Sequence, residues 1–280
     1  MTTQTDQPAG ETIIEVEDFA ASYGGKTVLK DVNFSVQRGE VLVIAGGSGC
    51  GKSTMLFHMI GLYRPAAGRI LIEDMDVHSV VGRELDRLRR QFGVAYQSGA
   101  LFGSMTVLEN VRLPLEEFTD LPQEMMDMIS LSKLRLVGLE AAAQKLPSEL
   151  SGGMQKRAAL ARAIALDPPI VFLDEPSAGL DPITSAGLDE LILSFKRLLR
   201  TTFVVVTHEL HSIFAISDRV VFLDASKQTV GAIGPAAWLR DNSPDPGVRA
   251  FFNRQSESAR ETAAAGPGSP PQTQKETSKP

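Results

Sequence analysis

The sequence predicts an α/β fold built on a mainly parallel sheet, and three stretches carry that prediction. Val41–Ile60 reads as strand, glycine-rich turn and helix. Ile170–Leu173 is a continuous apolar run, as expected of a central strand buried on both faces, and it ends in Asp174 and Glu175. Thr202–Thr207 is one more buried strand, again ending in a polar residue, His208. At 280 residues the chain can form one large domain with an attached subdomain.

The turn GGSGCGKST, residues 46–54, has the pattern of a phosphate-binding loop. Gly46, Gly49 and Gly51 open backbone conformations closed to other residues, so N–H groups along Gly46, Gly47, Ser48, Gly49, Cys50 and Gly51 can converge on one anion. The start of the following helix adds partial positive charge at the same point. Lys52 is placed for the β and γ phosphates, Ser53 for Mg²⁺, and Thr54 for the α phosphate.

Taken in order, Met1–Gly10 is polar and reads as disordered, whereas Thr12–Phe19 and Asp31–Val36 alternate as strands with one solvated face. Tyr23 is expected in a loop between them, either flat against a purine or half-buried at the loop base. Gly68–Glu73 resumes a strand, and the arginines of 83–91 read as the solvated face of a helix. Phe92–Tyr96 is a strand with Gln97 at its C-terminal end, the edge where parallel sheets bind ligands. Thr106–Gly138 is expected to be mostly helical, with Pro114 and Pro122 as breaks. Its methionines, with Met105, are mainly core, the alternative being a partner groove near 102–114.

Leu150–Ala165 reads as a second helix fitted for an anion at its start: Ser151 is a good N-cap, and Gly152 and Gly153 expose the first N–H groups. After Ile170–Leu173, the two carboxylates have separate uses beside Mg²⁺: Asp174 holds the metal and Glu175 orients or deprotonates a water. Asp181 and Pro182 start the next helix. Four elements thus deliver Lys52, Gln97, Asp174 with Glu175, and His208 to one sheet edge. A strand at Arg219–Leu223, a helix around 235–241 and an apolar patch of Trp238, Phe251 and Phe252 follow. Beyond Arg254 the composition is that of a disordered tail.

Composition narrows the function. The net charge of −6 argues against a nucleic-acid groove, and a single cysteine, Cys50, excludes an internal disulfide framework and fits a reducing compartment. No apolar run approaches the roughly 20 residues of a membrane span, and the polar N-terminus does not read as a signal peptide, so work on a membrane is expected through a partner. Cys50 reads either as a modifiable thiol of lowered pKa at a helix start or as a small residue tolerated in the loop.

Taken together, GGSGCGKST, Gln97, LSGGM at 150–154, IVFLDE at 170–175, SAGLD at 177–181 and His208 resemble the motif set of an ABC ATPase subunit over about residues 11–253. The resemblance implies a P-loop NTPase fold with an N-terminal antiparallel β subdomain, a helical subdomain at about 98–165 within an ATPase domain of 11–242, a docking segment at 243–254 and tails at 1–10 and 255–280. It implies ATP and Mg²⁺ as cofactors, with Ser53, Gln97 and Asp174 at the metal. Glu175, His208 and Gln97 serve hydrolysis, and Tyr23, the loop, Ser151–Gly153 and Asp181 serve nucleotide. One phosphate loop and one LSGG helix per chain imply a head-to-tail dimer.

Three stretches, SGALFGSMTVLENVRLPLEEFTDLP, the run from LPSELSGGM to LDELI, and NSPDPGVRAFF, are similar to the ATPases of Mce-associated phospholipid transporters. That branch implies a permease dimer, a periplasmic Mce-type lipid-binding protein, a small STAS-domain protein in many systems, and a place on the cytoplasmic face of the bacterial inner membrane. The alternatives are an ABC ATPase for another cargo, by amino-acid import or lipoprotein extraction, and a soluble non-transport ABC ATPase.

Overall fold

The computed structural model describes residues 10–254, so the expected tails at 1–10, all but Gly10, and 255–280 lie outside the described residues. The chain opens with a hairpin, β1 (Thr12–Tyr23) and β2 (Lys26–Gln37), and then forms the strand β3 (Val41–Gly46) and helix α1 (Lys52–Met59) of the glycine-rich turn. β4 (Ala67–Ile72), β5 (Met75–Asp76), α2 (Arg83–Arg89) and β6 (Phe92–Ala95) lead to three helices, α3 (Val107–Phe118), α4 (Gln123–Leu136) and α5 (Gly152–Ala163). β7 (Ile170–Asp174), α6 (Pro182–Leu199), β8 (Thr202–Val206), α7 (Leu210–Ile216) and β9 (Arg219–Asp224) alternate, and β10 (Thr229–Gly234), α8 (Ala236–Asn242) and α9 (Pro246–Phe252) close the chain.

Two sheets result. An antiparallel sheet runs β2-β1-β4-β5, and a six-stranded sheet runs β10-β9-β3-β8-β7-β6, parallel throughout except that β10 pairs antiparallel with β9. Alternate residues of the central strands feed two cores, because successive side chains of a strand point to opposite faces. Val41, Val43, Val171, Leu173 and Phe203 pack with α3 to α7, while Leu42, Ile44, Phe172, Val204 and Val206 pack with α1 and the antiparallel sheet. The buried strands are therefore apolar at every position, which is why they read as continuous runs rather than as alternations.

Register brings the polar strand ends together. Ala95 pairs with Leu173, Asp174 with Val206, and Ile44 with Val206, so the exits of β3, β6, β7 and β8 leave one edge at one level. β6 lies tight on α5: a Cβ at Gly93 would come within 1.8 Å of the Ala163 carbonyl oxygen, so only glycine fits there.

Several local expectations are corrected. Tyr23 is not in a loop but ends β1, because the turn is confined to Gly24 and Gly25 at positive φ, and the hairpin strands run longer than their alternation suggested. Asp18 and Asp31 at positive φ and repeated register shifts interrupt the period of two that marks a strand. Pro114 does not break its helix. The Thr106–Glu109 capping box and the burial of Val107, Val111 and Leu115 hold α3 despite the roughly 3 kcal/mol an interior proline costs. Pro122 does fall at a boundary, as the N-cap of α4.

The methionines are not mainly core. α4 turns Met126, Ser130 and Leu134 inward, leaving Met125 and Met128 exposed, and Met105 is half-buried. The expected apolar patch is partly interior: Phe252 is buried, edge-on to Phe251 and Phe214 and tilted to Phe222. β5, α7, β10 and α9 were not foreseen; each has seven residues or fewer, too short to show a helical or strand period.

Candidate functional site

The phosphate loop runs from the end of β3 into α1. Gly46 has φ 150°, and a Cβ there would lie 2.6 Å from both Cys50 Sγ and the Leu223 carbonyl oxygen, so the loop can leave the sheet only with glycine at this point. α1 starts at Gly51 without a side-chain cap. Among the described residues the amides of Gly49, Gly51, Lys52, Ser53 and Thr54 donate to no backbone carbonyl or side chain. A run of open donors is what a polyanion needs, and at Gly51, Lys52 and Thr54, which are half-buried, amides are rarely left without a partner otherwise. Lys52 Nζ donates to the carbonyls of Gly46 and Gly47 at 3.0 and 3.1 Å, which holds the ammonium over the loop.

Cys50 departs from one of its two readings. Its side chain is buried in the core shared with the antiparallel sheet, and burial pushes the thiol up, with Lys52 working against that shift. That burial runs against a thiol of lowered pKa, and the Cys50 N–H donates to the Gly47 carbonyl at 3.4 Å. Tyr23 is 42% exposed, with its ring edge-on to Tyr63 at 5.7 Å and tilted to His58 at 6.2 Å. Burial raises its phenol, while a hydrogen bond with Thr54 lowers it, so the ring stands beside the start of α1 with one side open.

Asp174 and Glu175 sit at the end of β7 and are both buried. Asp174 Oδ1 and Glu175 Oε2 have no hydrogen-bond partner among the described residues. The Asp174 carboxyl is raised first by burial and then by the Glu175 charge, whereas the nearby Ser53 hydroxyl, Lys156 and Lys52 lower it. Glu175 itself has φ 46°, sparsely populated for a residue with a side chain, and is held there by donating its N–H to Val206 at 2.8 Å. His208, at the end of β8, reaches back with Nδ1 2.8 Å from Glu175 Oε1, its own side chain 59% exposed. One carboxylate oxygen is oriented by the imidazole and the other is left free, the arrangement a water-activating base requires.

Gln97 is exposed just past β6, beyond Tyr96, on the same edge. Ser151, Gly152 and Gly153 begin α5, but not beside α1: α5 packs on α3, α4, β6 and α6, and Ser151 and Gly152 are exposed. Ser151 accepts from the Met154 N–H at 3.3 Å. Asp181 is also exposed, and its carboxylate caps α6 by accepting from Ile183 and Thr184, which holds it below the usual range. Lys52, Asp174, Glu175, His208 and Gln97 are thus brought to one edge, while the start of α5 at Ser151–Gly153 lies by Leu180, next to Asp181 at the start of α6. Two residues at the edge escaped sequence reasoning, Lys156 and Arg162, because cations inside an alanine-rich helix carry no local signal of what they reach.

Residues 29–178, a strand-to-strand span that includes the loop, Gln97, α5 and the paired carboxylates, match the family model described as ABC transporter. The chain belongs to the ABC transporter family. It is an ABC ATPase, and what it binds and cleaves is ATP. It is 41% identical over 240 residues to the "Probable ribonucleotide transport ATP-binding protein mkl" of Mycobacterium leprae, covering 86% of this chain and 68% of that protein. It is 40% identical over 241 residues to the "Intermembrane phospholipid transport system ATP-binding protein MlaF" of Escherichia coli, covering 86% of this chain and 88% of that one. Among solved structures it resembles the ATP-binding cassette MJ0796, a dimer in a post-hydrolysis state bound to ADP and Pi, with TM-score 0.72, 31% identity, and coverage of 80% of this chain and 98% of that chain.

Proposed function

We propose that the chain is the ATP-hydrolysing subunit of a membrane transporter that moves phospholipid between membranes, and that it works as a head-to-tail pair. The observation that carries the hydrolytic part is the pair of buried, unpartnered carboxylate oxygens of Asp174 and Glu175 at the edge where Lys52 stands. In this reading the loop amides and Lys52 bind the phosphates, Thr54 supports the α phosphate, and Tyr23 meets the base. Glu175 takes the proton of the attacking water as its oxygen bonds to the γ phosphorus and the bond to the β-phosphate oxygen breaks. His208 orients Glu175, and Gln97 lines the water's side.

Mg²⁺ fits the same edge: Ser53, Asp174 through water, and Gln97 would hold it, and Asp174 Oδ1 is an orphaned acceptor. The described residues contain no cluster of three His, Cys, Asp or Glu. Mg²⁺ shared with phosphate oxygens and waters needs only one or two carboxylates. When bound it would neutralise charge on the β and γ phosphates.

The exposed start of α5 supports pairing. Ser151, Gly152 and Gly153 form an anion-ready helix end that does not pack on the chain's own α1. A twofold axis would bring it, with Asp181, to the partner's γ phosphate. The solved dimer of the similar cassette accords with this. The ATPase domain spans 11–242, with 98–165 as its helical subdomain and 243–254 for docking. No helix among the described residues is long and apolar enough to cross a membrane. In this proposal, on the likeness to MlaF, the subunit works from the cytoplasmic face of the inner membrane under a permease dimer, with an Mce-type lipid-binding protein in the complex and, as in many such systems, a small STAS-domain protein.

The phospholipid reading follows the likeness to MlaF and the three similar stretches. Ribonucleotide transport is the second reading, favoured by the name of the mycobacterial relative. Purifying the intact complex and identifying its membrane protein and bound small molecule separates them: phospholipid supports the first, nucleotide outside the ATP site the second. For the chemistry, Glu175→Gln is expected to keep ATP binding and lose roughly 10² to 10⁴ in hydrolysis. Steady-state turnover within a few fold of wild type removes Glu175 from that role.

A further inference from the structure

α5 presents two cations to the chain leaving the parallel sheet, and they do different things. Arg162 donates to the carbonyls of Gly99 and Ala100, at 2.9 and 2.8 Å, and so anchors one loop. Lys156 Nζ donates to the carbonyl of Gln97 and also, at 3.2 Å, to the carbonyl of Glu175. It therefore spans two separate strand exits, that of β6 and that of β7.

The second contact falls on the strained point of the site. Glu175 sits at φ 46°, a conformation that costs a residue with a side chain about 1–3 kcal/mol and persists only where surroundings over-determine it. Its N–H is held by Val206 and its carboxylate by His208. The remaining group, the carbonyl, accepts from the Ala178 N–H at 3.2 Å within its own turn and from Lys156, whose charge-assisted hydrogen bond is the stronger kind and the one that ties it to another element. A main chain pinned at N–H and C=O has little freedom left, and the direction of the carboxylate follows from it.

Lys156 also belongs to the helix whose first residues are Gly152 and Gly153, four and three positions away. A rigid helix cannot shift at its start without carrying that ammonium along. We propose that Lys156 is a positioning residue that fixes the main chain of Glu175 and the exit to Gln97, and makes both depend on where the start of α5 docks. This rests on the readings of Glu175 as the base and of α5 as facing a second copy. Under them, nucleotide engaged by α5 at the partner's site sets the base at the chain's own site, so the two sites of a dimer hydrolyse in concert. Arg162 anchors the loop alone and carries no such link to Glu175.

The test compares Lys156→Met, Lys156→Arg and Glu175→Gln in the complete transporter, with ATP binding measured on the isolated subunit. Lys156→Met is expected to lower kcat by about 10- to 100-fold, the scale of an ångström-level misplacement of a reacting group. KM for ATP and subunit binding should stay within about twofold, and any Hill coefficient above one should fall to one. Lys156→Arg should recover most of kcat, since it restores the donors. Lys156→Gln, which keeps part of the donor set, should fall between and serves if the Met variant does not fold. A kcat for Lys156→Met within about twofold of wild type overturns the proposal, and so does a loss that Arg fails to rescue and that tracks a lowered Tm. An active Glu175→Gln removes the base and the inference together; an inactive Glu175→Gln beside a fully active Lys156→Met removes the inference alone.

Discussion

Two helix starts in this chain use the same physics for opposite arrangements. α1 begins at Gly51, in the left-handed region at φ 99°, with no side chain to cap it and a run of open amides in the loop before it. α5 begins after Ser151, whose hydroxyl satisfies the Met154 amide, with Gly152 set out at the surface and Gly153 half-buried against Thr184. The first end is kept bare and folded around its own chain's site, with Lys52 across its mouth. The second is partly satisfied and solvated, so it is stable alone and still free to take an anion brought by another molecule. In the proposed pairing the bare end serves its own chain's nucleotide and the capped end one brought by a second copy, so capping distinguishes the two roles.

The largest effect should come from closing the bare end. Gly46→Val places side-chain atoms where 2.6 Å already separates a Cβ from Cys50 Sγ and the Leu223 carbonyl. Isothermal titration should show ATP affinity lost by more than about 100-fold with a lowered Tm, because backbone rather than a side chain must give way. Wild-type affinity would mean that the loop geometry is not what binds. Next is the solvated end: Ser151→Arg should abolish hydrolysis by the assembled complex and leave ATP binding by the isolated subunit within a few fold. If the isolated subunit loses ATP as well, α5 serves its own chain and the contrast between the ends fails.

The smallest effect concerns a charge that serves neither end. Asp189 lies buried on α6, and neither carboxyl oxygen has a well-formed hydrogen bond among the described residues, the Ser212 hydroxyl being the nearest donor. Burial raises its pKa from 3.8 to about 6, and Glu209 adds to the shift, while Ser212 and His211 lower it. The folded chain thus holds the proton more tightly than the unfolded one, and stability falls as pH rises from about 4 to about 6, where the penalty is complete. Asp189→Asn removes that penalty. Thermal unfolding should find the variant stabilised by on the order of 2 kcal/mol at pH 7.5, with the gain vanishing near pH 4. An unchanged Tm at both pH values would show that the carboxyl is not strained by its site.

What could be read from the chain divides along the same line. The phosphate loop is local: Gly46 to Thr54 are neighbours in sequence and in space, so spacing alone points to a strand, a cradle and a helix. The ends of β6, β7 and β8 were also legible, because an apolar run that stops at Gln97, Asp174 or His208 names its own polar edge. Lys156 and Arg162 were not, since they touch residues 19 to 63 positions away and nothing around them marks it. The same holds for Cys50, whose burial comes from the antiparallel sheet rather than from its loop. Short elements such as α7 and β10 escaped because their existence depends on packing against neighbours.

The central claim is that each ATP site is completed by the α5 start of a second copy. Its most direct test mixes two inactive subunits in the reconstituted transporter: Lys52→Ala, which lacks a working phosphate loop, and Ser151→Arg, which lacks a working α5 start. In a head-to-tail pair of unlike subunits, one site joins two damaged parts and the other joins two intact parts. ATPase activity should therefore reappear on mixing, up to roughly a quarter of wild type if subunits pair at random and sites act independently, and about 10- to 100-fold below that, still above either variant alone, if the Lys156 link couples the sites. A mixture as inactive as either variant alone would contradict the claim and return the whole site to a single chain.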